Sequence, residues 1–374
     1  MVNIQKVDTG DKKQVKEFIE FQYRLYRDCP QWVPPIYDDM YMALNREKHP
    51  FHQHSPADFF LATREGKTVG RISVFENKVF NKHHNVKKAG FCYFDSIDDQ
   101  EVANALFNAA LDWARPRGLD TMVGPKPFSV IDGYGILVEG FEHRQMMTMG
   151  NYNYDYYKKL VENLGFEKEV DFCSAYIKVA DFKIPERVHR IAQHVQERGT
   201  LTVKRFKNKK EVIAWADRIG KVYNDAMINN WEYYPLSPGE IKLVLDSMLV
   251  IADPKLIKII MHGDDIVGYL LAFPDVSWGL QKARGKLFPG IIFLLYSMFT
   301  TKWVAQNGIG ILPGFKGHGG NALVYSEMEK TVREAGFTDA DCVNIAETAK
   351  DMRSDLENLG AKLYKTHRVY RKSI

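Results

Sequence analysis

Gly317, Gly319 and Gly320 punctuate the run Lys316-Gly317-His318-Gly319-Gly320-Asn321-Ala322. Glycines lack a Cβ, so a ligand can approach the backbone closely and the chain can take left-handed conformations. The apolar run ending at Ile311 and Leu312 reads as a strand. Ala322 to Gly336 reads as a helix, with Leu323, Met328 and Val332 near helical spacing. The first N–H groups of that helix have no partner within it and would point at an anion seated in the turn. Phosphate binding is the chemistry this pattern suits. Lys316 would add charge, and His318 faces a phosphate better than a substrate. The plain alternative is a tight strand-to-helix loop with no ligand.

A second cluster is His49, His52 and His54 in a polar loop. Three close histidines suggest a metal, but no neighbouring carboxylate or cysteine completes a ligand set, and no metal is expected. Cys29, Cys92, Cys173 and Cys342 are far apart and form no CxxC pair. That argues against a disulfide framework and fits a reducing cytoplasm.

The elements that position the turn follow from patterning. With 374 residues, 45% hydrophobic and 26% charged, the chain has the composition of a globular protein of more than one domain. A net charge of +4 is too small to suggest a nucleic-acid partner. The basic tail, Lys362 to Lys372, reads as a strand with solvated charges. The N-terminal stretch is polar, so no signal peptide is expected. The apolar run Leu287 to Phe299 is shorter than the ~20 residues needed to span a bilayer, so no transmembrane segment is expected. It reads as a buried helix. A membrane-touching segment and the wall of an acyl groove are the alternatives.

Two halves of the chain echo each other. Glu65-Gly66-Lys67-Thr68-Val69-Gly70 parallels Gly263-Asp264-Asp265-Ile266-Val267-Gly268. Glu162-Asn163-Leu164-Gly165-Phe166 parallels Glu357-Asn358-Leu359-Gly360-Ala361. The first half carries a long loop at 124–150, and the second carries its apolar insert at 277–300. Each half runs strand, helices, hairpin, strand, turn, helix, strand, helix, strand. The expected fold is α/β (α+β) with mixed, mostly antiparallel sheets flanked by helices. The expected domains are 1–180, a connector helix at 181–200, and 201–374 with the phosphate-cradling turn.

This order, with Lys316-Gly317-His318-Gly319-Gly320-Asn321 in place of an Arg/Gln-x-x-Gly-x-Gly/Ala signature, resembles the GNAT superfamily of acyl-CoA N-acyltransferases. It is especially similar to a bacterial tandem-GNAT group through Pro50-Phe51, Asp98 to Ala103, and Leu359 to Lys365. The resemblance implies acetyl-CoA or another acyl-CoA as cosubstrate. It would be held by Ile311, Leu312, Lys316, Gly317, His318, Gly319, Gly320, Asn321 and Ala322. It also implies a small-molecule or peptide amine as acceptor. The corresponding turn of the first half, Asp98-Asp99-Gln100-Glu101, has no glycine and puts carboxylates at a helix start, so that half reads as a degenerate copy. The family often places a catalytic tyrosine where this chain has Leu356 and, in the first half, Val161. The substitutes are Glu347 at the end of a strand, and Glu232 and Tyr233 in an aromatic loop. Two further readings follow from the same resemblance: a non-catalytic acyl-CoA or ligand-binding protein, and a transferase that uses aminoacyl-tRNA.

Overall fold

The computed structural model describes residues 1–127, 133–147 and 149–374. The first elements are β1 (Asn3–Lys6), α1 (Lys12–Leu25), α2 (Tyr37–Leu44), β2 (Ala57–Arg64), β3 (Lys67–Phe75), α3 (Lys78–His84) and β4 (Lys88–Ser96). Then come α4 (Gln100–Ala114), β5 (Thr121–Gly124), β6 (Ile136–Glu139), α5 (Tyr156–Glu162), β7 (Glu167–Lys178) and α6 (Glu186–Arg198). The chain continues through β8 (Thr202–Lys204), α7 (Lys209–Ala226), α8 (Pro238–Ile251), β9 (Ile257–His262), β10 (Asp265–Pro274), α9 (Ser277–Ala283) and α10 (Leu287–Thr300). It ends with β11 (Trp303–Ile311), α11 (Gly320–Glu334), β12 (Asp339–Ala346), α12 (Lys350–Asn358) and β13 (Lys362–Ser373). Parts of the long 124–150 loop, 128–132 and Thr148, lie outside the described residues.

The chain forms two compact units that are not contiguous in sequence. The first holds 1–173, 277–295 and 365–374. Its strands follow the order β1-β2-β3-β4-β5-β13. The β1–β2, β2–β3 and β3–β4 ladders are antiparallel and β4–β5 is parallel. Helix α4 packs on this sheet, burying Val102, Leu106, Phe107 and Ala110 against Ile72, Phe91 and Phe94. Its Asp99 cap accepts from the N–H groups of Glu101 and Val102, satisfying two of the donors a helix start leaves open. On another face, α1 buries Val15, Phe18 and Ile19 with Phe59 and Phe75.

The second unit holds 174–276 and 296–364. Its strands follow β12-β11-β10-β9-β8, with β11–β12 parallel and the other three ladders antiparallel. Leu323, Val324, Met328 and Val332 of α11 form its core with Ile260, Leu270 and Val304. Ser237 and Glu240 form a capping box at the start of α8, with Pro238 at the first helical position.

Two expectations change, those for the apolar insert and the basic tail. The apolar insert is a helix, but much of it is exposed, as described below. The basic tail is the long strand β13, and its charges are not simply solvated. Lys365 and His367 are buried, and Arg368 pairs with Asp171 at 2.8 Å. From Lys365 to Val369 the alternation of a strand buries every second side chain whatever its charge. The three clustered histidines make local bonds. His52 Nε2 lies 2.9 Å from the Ala43 carbonyl, His54 Nδ1 lies 2.6 Å from Ser55 Oγ, and His49 Nδ1 accepts from the Phe51 N–H.

Candidate functional site

Each unit contains a parallel pair whose ladder ends before its strands do, by several residues on both strands in the second unit and on β4 in the first. In the second unit the β11–β12 ladder runs from Trp303–Asp339 to Gln306–Cys342, yet β11 continues to Ile311 and β12 to Ala346. In the first unit the β4–β5 ladder ends at Gly90–Val123, while β4 continues to Ser96. A bulge redirects the strand at each divergence. Between β10 and β11, Leu270 pairs with Ile309 and Ala272 with Gln306, so Asn307 and Gly308 stand opposite Leu271 alone. Between β3 and β4, Arg71 pairs with Asp95 and Ser73 with Cys92, so Tyr93 and Phe94 stand opposite Ile72. Each bulge holds a left-handed residue, Gly308 at φ 129° and Tyr93 at φ 49°. On β12, Asn344 at φ 56° breaks the alternation. Cys342 and Ile345, three apart, therefore share one apolar cluster with Leu356.

Beyond the second-unit divergence lies the glycine-rich turn. The Leu312 N–H donates to the Val267 carbonyl at 2.9 Å, extending the β10–β11 contact past the strand end. A 3-10 turn, Pro313–Phe315, follows. Lys316, Gly317 and His318 are exposed, and Phe315 packs between the rings of His262 and His318. Gly317 has φ 81° with open space where a Cβ would stand. Gly319, at φ 83°, is the N-cap of α11, and no side chain caps it. Gly320 packs closely, with Ile311 Cδ1 3.0 Å from a built Cβ, and Ala322 is buried while Asn321 is exposed. The nine residues read from sequence as cofactor-binding thus form one continuous strand end, turn and helix start. Bare N–H groups and the helix dipole make that start favourable to an anion.

The matching place in the first unit is filled by protein groups. The Asp99 carboxylate takes the helix N–H groups and binds Arg64 at 2.7 Å. At the end of β4, the Ser96 N–H donates to the Tyr157 hydroxyl at 3.1 Å, and the Tyr156 hydroxyl donates to the Ser96 carbonyl at 2.7 Å. Beneath them Asp95 pairs with Arg71 at 2.7 Å and accepts from Tyr26 at 3.2 Å. Burial, with Asp95 close by, holds the Tyr26 and Tyr157 phenols far above their ordinary range, so both stay protonated donors.

The three sequence-derived catalytic candidates sit on two elements of the second unit. Glu347 is half-buried in the turn after β12. Glu232 and Tyr233 are half-buried in the loop between α7 and α8, where Glu232 adopts φ 52°. Burial, then Asp225, raises the Tyr233 phenol. The root of that loop packs on the bulged strand, because Ala226 Cβ lies 2.9 Å from a Cβ built on Gly310 and Met227 Cε lies 3.9 Å from one built on Gly308. Leu356 is buried in the cluster around Cys342 and does packing rather than proton transfer.

Sequence reasoning missed two groups here. Tyr269 is fully buried, stacks on Tyr223 at 5.6 Å, and crosses Gly310 so closely that a Cβ there would lie 2.9 Å from its hydroxyl. That hydroxyl has no hydrogen-bond partner among the described residues. Asp341 is buried on the β12 side and accepts from Tyr364 at 2.5 Å. Tyr269 reads as an ordinary strand aromatic, and only the facing glycine at 310 hinted at a close approach.

The whole chain superimposes on a tandem GNAT protein from the clavulanic acid biosynthesis pathway with a TM-score of 0.57 at 10% identity, covering 100% of this chain and 98% of that one. The fold is that of the tandem GNAT proteins. A GCN5-related N-acetyltransferase from Sphaerobacter thermophilus matches this chain with a TM-score of 0.52 at 11% identity, over 100% of the chain and 95% of the neighbour. Two relatives are closer in sequence. The bacterial ceramide synthase of Caulobacter vibrioides is 29% identical over 378 residues, 96% of this chain and 95% of the relative. Protein YghO of Escherichia coli is 26% identical over 373 residues, 97% and 94% respectively. No family model matches the chain.

Proposed function

We propose that the chain transfers an acyl group from a coenzyme A thioester to the amine of a long-chain amino alcohol. The observation that carries this reading is the contrast between two helix starts. Gly319 leaves α11 without a side-chain cap, whereas Asp99 supplies α4 with a carboxylate. Only the first can receive a pyrophosphate without like-charge repulsion. In this reading the N–H groups of Gly320, Asn321 and Ala322 hold the pyrophosphate, and Lys316 adds charge. The diverging edge of β11, including Ile311, and Leu312 beyond it receive the amide-bearing arm.

The reaction joins the amine nitrogen to the thioester carbonyl carbon and breaks the C–S bond. The nitrogen loses a proton and the departing thiolate gains one. Glu347, Glu232 and Tyr233 are the proposed proton-handling groups. The choice of acceptor is supported by the end-to-end likeness to a protein named for ceramide synthesis, since a ceramide is a long-chain amino alcohol acylated on nitrogen. The first unit, with its filled divergence, serves as a degenerate copy.

The test is mass-spectrometric detection of the amide after incubation with sphinganine and either palmitoyl-CoA or acetyl-CoA. The expected result is N-palmitoyl product. Gly317→Asp should abolish it and Gly317→Asn should retain it, because both side chains tolerate the left-handed turn and only one is charged. Glu347→Gln and Glu232→Gln should each be compared with wild type, and the catalytic carboxylate should show a fall in kcat of about a hundredfold or more at an unchanged KM for the thioester. Coenzyme A binding by calorimetry with no amide formed would overturn the enzyme reading in favour of a binding protein. Binding unchanged in Gly317→Asp would overturn the cradle.

A further inference from the structure

Helix α10 shows an apolar face to solvent. Phe288 is 88% exposed, Ile292 62%, Leu295 46% and Phe299 86%, with Ile291 also exposed. The spacing of Ile291, Ile292, Leu295 and Phe299 places them on one side of the helix, and Phe288 stands exposed at a kink of extended backbone near its start. The opposite side is the anchored one. Leu294 is buried, and Gly279 of α9 packs so closely that a Cβ there would lie 2.6 Å from the Phe293 carbonyl. Gly290 packs on Ala283 in the same way. Gln281 of α9 donates to the Pro30 and Trp32 carbonyls at 2.8 and 2.9 Å, and the Tyr37 N–H donates to Gly285 at 2.8 Å. Residues 277–295 are therefore held on the first unit mainly through polar and small residues, while Ile291, Ile292 and Leu295 face outward. That is the reverse of an ordinary surface helix.

The charges that flank α10 in sequence share one sign. Lys282, Arg284 and Lys286 are exposed just before the helix and Lys302 just after it. From Val276 to Ser326 the sequence has no aspartate or glutamate. No helix among the described residues is long and apolar enough to cross a membrane, and α10 would lie along an interface rather than through it.

We propose that the exposed face of α10 docks on an anionic lipid bilayer, with Phe288, Ile292, Leu295 and Phe299 entering the boundary between headgroups and acyl chains. Lys282, Arg284, Lys286 and Lys302 meet the negatively charged headgroups. Apolar burial and electrostatic attraction act together in such contacts, and the electrostatic part weakens with salt. The assignment rests on the exposed face and its charges and does not depend on the reaction proposed above.

The test is co-sedimentation of the full chain with vesicles of phosphatidylcholine plus phosphatidylglycerol, against vesicles of phosphatidylcholine alone. Wild type should bind the mixed vesicles and lose most of that binding in high salt. Ile292→Asp/Phe299→Asp should weaken vesicle partitioning about tenfold or more while leaving the melting temperature and coenzyme A binding unchanged, since the altered side chains are exposed. Lys282→Glu/Lys286→Glu should weaken binding to the mixed vesicles selectively. Equal sedimentation of wild type and Ile292→Asp/Phe299→Asp would overturn the proposal. So would a wild-type dimer in analytical ultracentrifugation that the same double substitution dissociates, with no vesicle binding by either protein. That result would make the face a contact between two copies of the chain.

Discussion

A Cβ built on Gly319 would lie 2.7 Å from Cγ2 of Val195, and 3.1 Å from Cγ2 of Ile191. Both partners lie on α6, so this helix buttresses the start of α11 rather than acting as a tether. Gly319 also needs φ 83°, which strains any residue with a Cβ. Gly319→Ala should therefore cost about 2 kcal/mol or more in chemical denaturation. Gly317→Ala lacks the steric part, since nothing lies within 4 Å of its built Cβ, and should cost less. Equal losses for the two would mean that α6 does not brace the turn.

A second prediction concerns the filled divergence of the first unit. Arg71 is fully buried, pairs with Asp95 at 2.7 Å, and donates to the Phe18 carbonyl at 2.8 Å. Removing one member of a buried pair strands the other, which typically costs 3–5 kcal/mol, whereas replacing both with apolar residues can be close to neutral. Asp95→Asn should destabilise the protein by about 3 kcal/mol or more. Arg71→Met/Asp95→Leu should be less damaging than that single change. A double variant worse than the sum of its singles would show that the pair is worth more than its desolvation cost.

The repeat was visible in the sequence because its marks are local. Gly70 and Gly268 each follow a valine, Val69 and Val267, at which the hairpin ladder slips by one residue. Each glycine then meets packed atoms within 3 Å of a built Cβ. The cradle could be read for the same reason, since glycines at left-handed positions leave a direct trace in sequence. The bulges on β4 and β11 left less trace. Tyr93-Phe94 looks like ordinary strand, and its left-handed tyrosine is fixed by the pairing of Arg71 and Ser73 on the next strand. The outward turn of α10 was hidden because an all-apolar stretch carries no sign of which side faces solvent. Only the packing of Gln281, Gly285 and Gly290 against their neighbours decides it. The catalytic candidates remain the least readable part, because a half-buried glutamate at a strand end has the same sequence signature whether or not it moves a proton.

The lone hydroxyl of Tyr269 gives a test in which stability and activity should move apart. A buried donor without a partner costs free energy, so removing it is neutral or favourable for folding. Burial holds this phenol well above its ordinary range, so it remains a neutral donor at physiological pH. Tyr269→Phe should leave the melting temperature unchanged or slightly raised. If the hydroxyl meets the thioester beside Gly310, the same change should lower kcat/KM by about tenfold, in keeping with about 1 kcal/mol or more for one hydrogen bond. Unchanged kinetics with raised stability would mean that the hydroxyl serves no substrate contact.

His367 sets a pH dependence for the whole fold. It is buried on β13, and its Nε2 lies 2.8 Å from the Asn151 carbonyl. Burial, with Lys365 adding repulsion, pushes its pKa down to about 4, against 6.5 for a free side chain. A depressed histidine stays neutral in the folded protein while the unfolded chain takes up a proton, so the unfolded state binds more protons between those two values. The stability His367 contributes is then fully present above about pH 6.5 and is lost progressively as pH falls toward 4. Over that window the loss amounts to at most about 3 kcal/mol. Melting temperatures measured from pH 7 down to about pH 5 should therefore fall more steeply for wild type than for His367→Gln, which cannot be protonated. The glutamine variant should be less stable near pH 7, where the bond to Asn151 is intact in wild type, and the two curves should converge on acidification. Parallel curves would show that other groups govern the acid response.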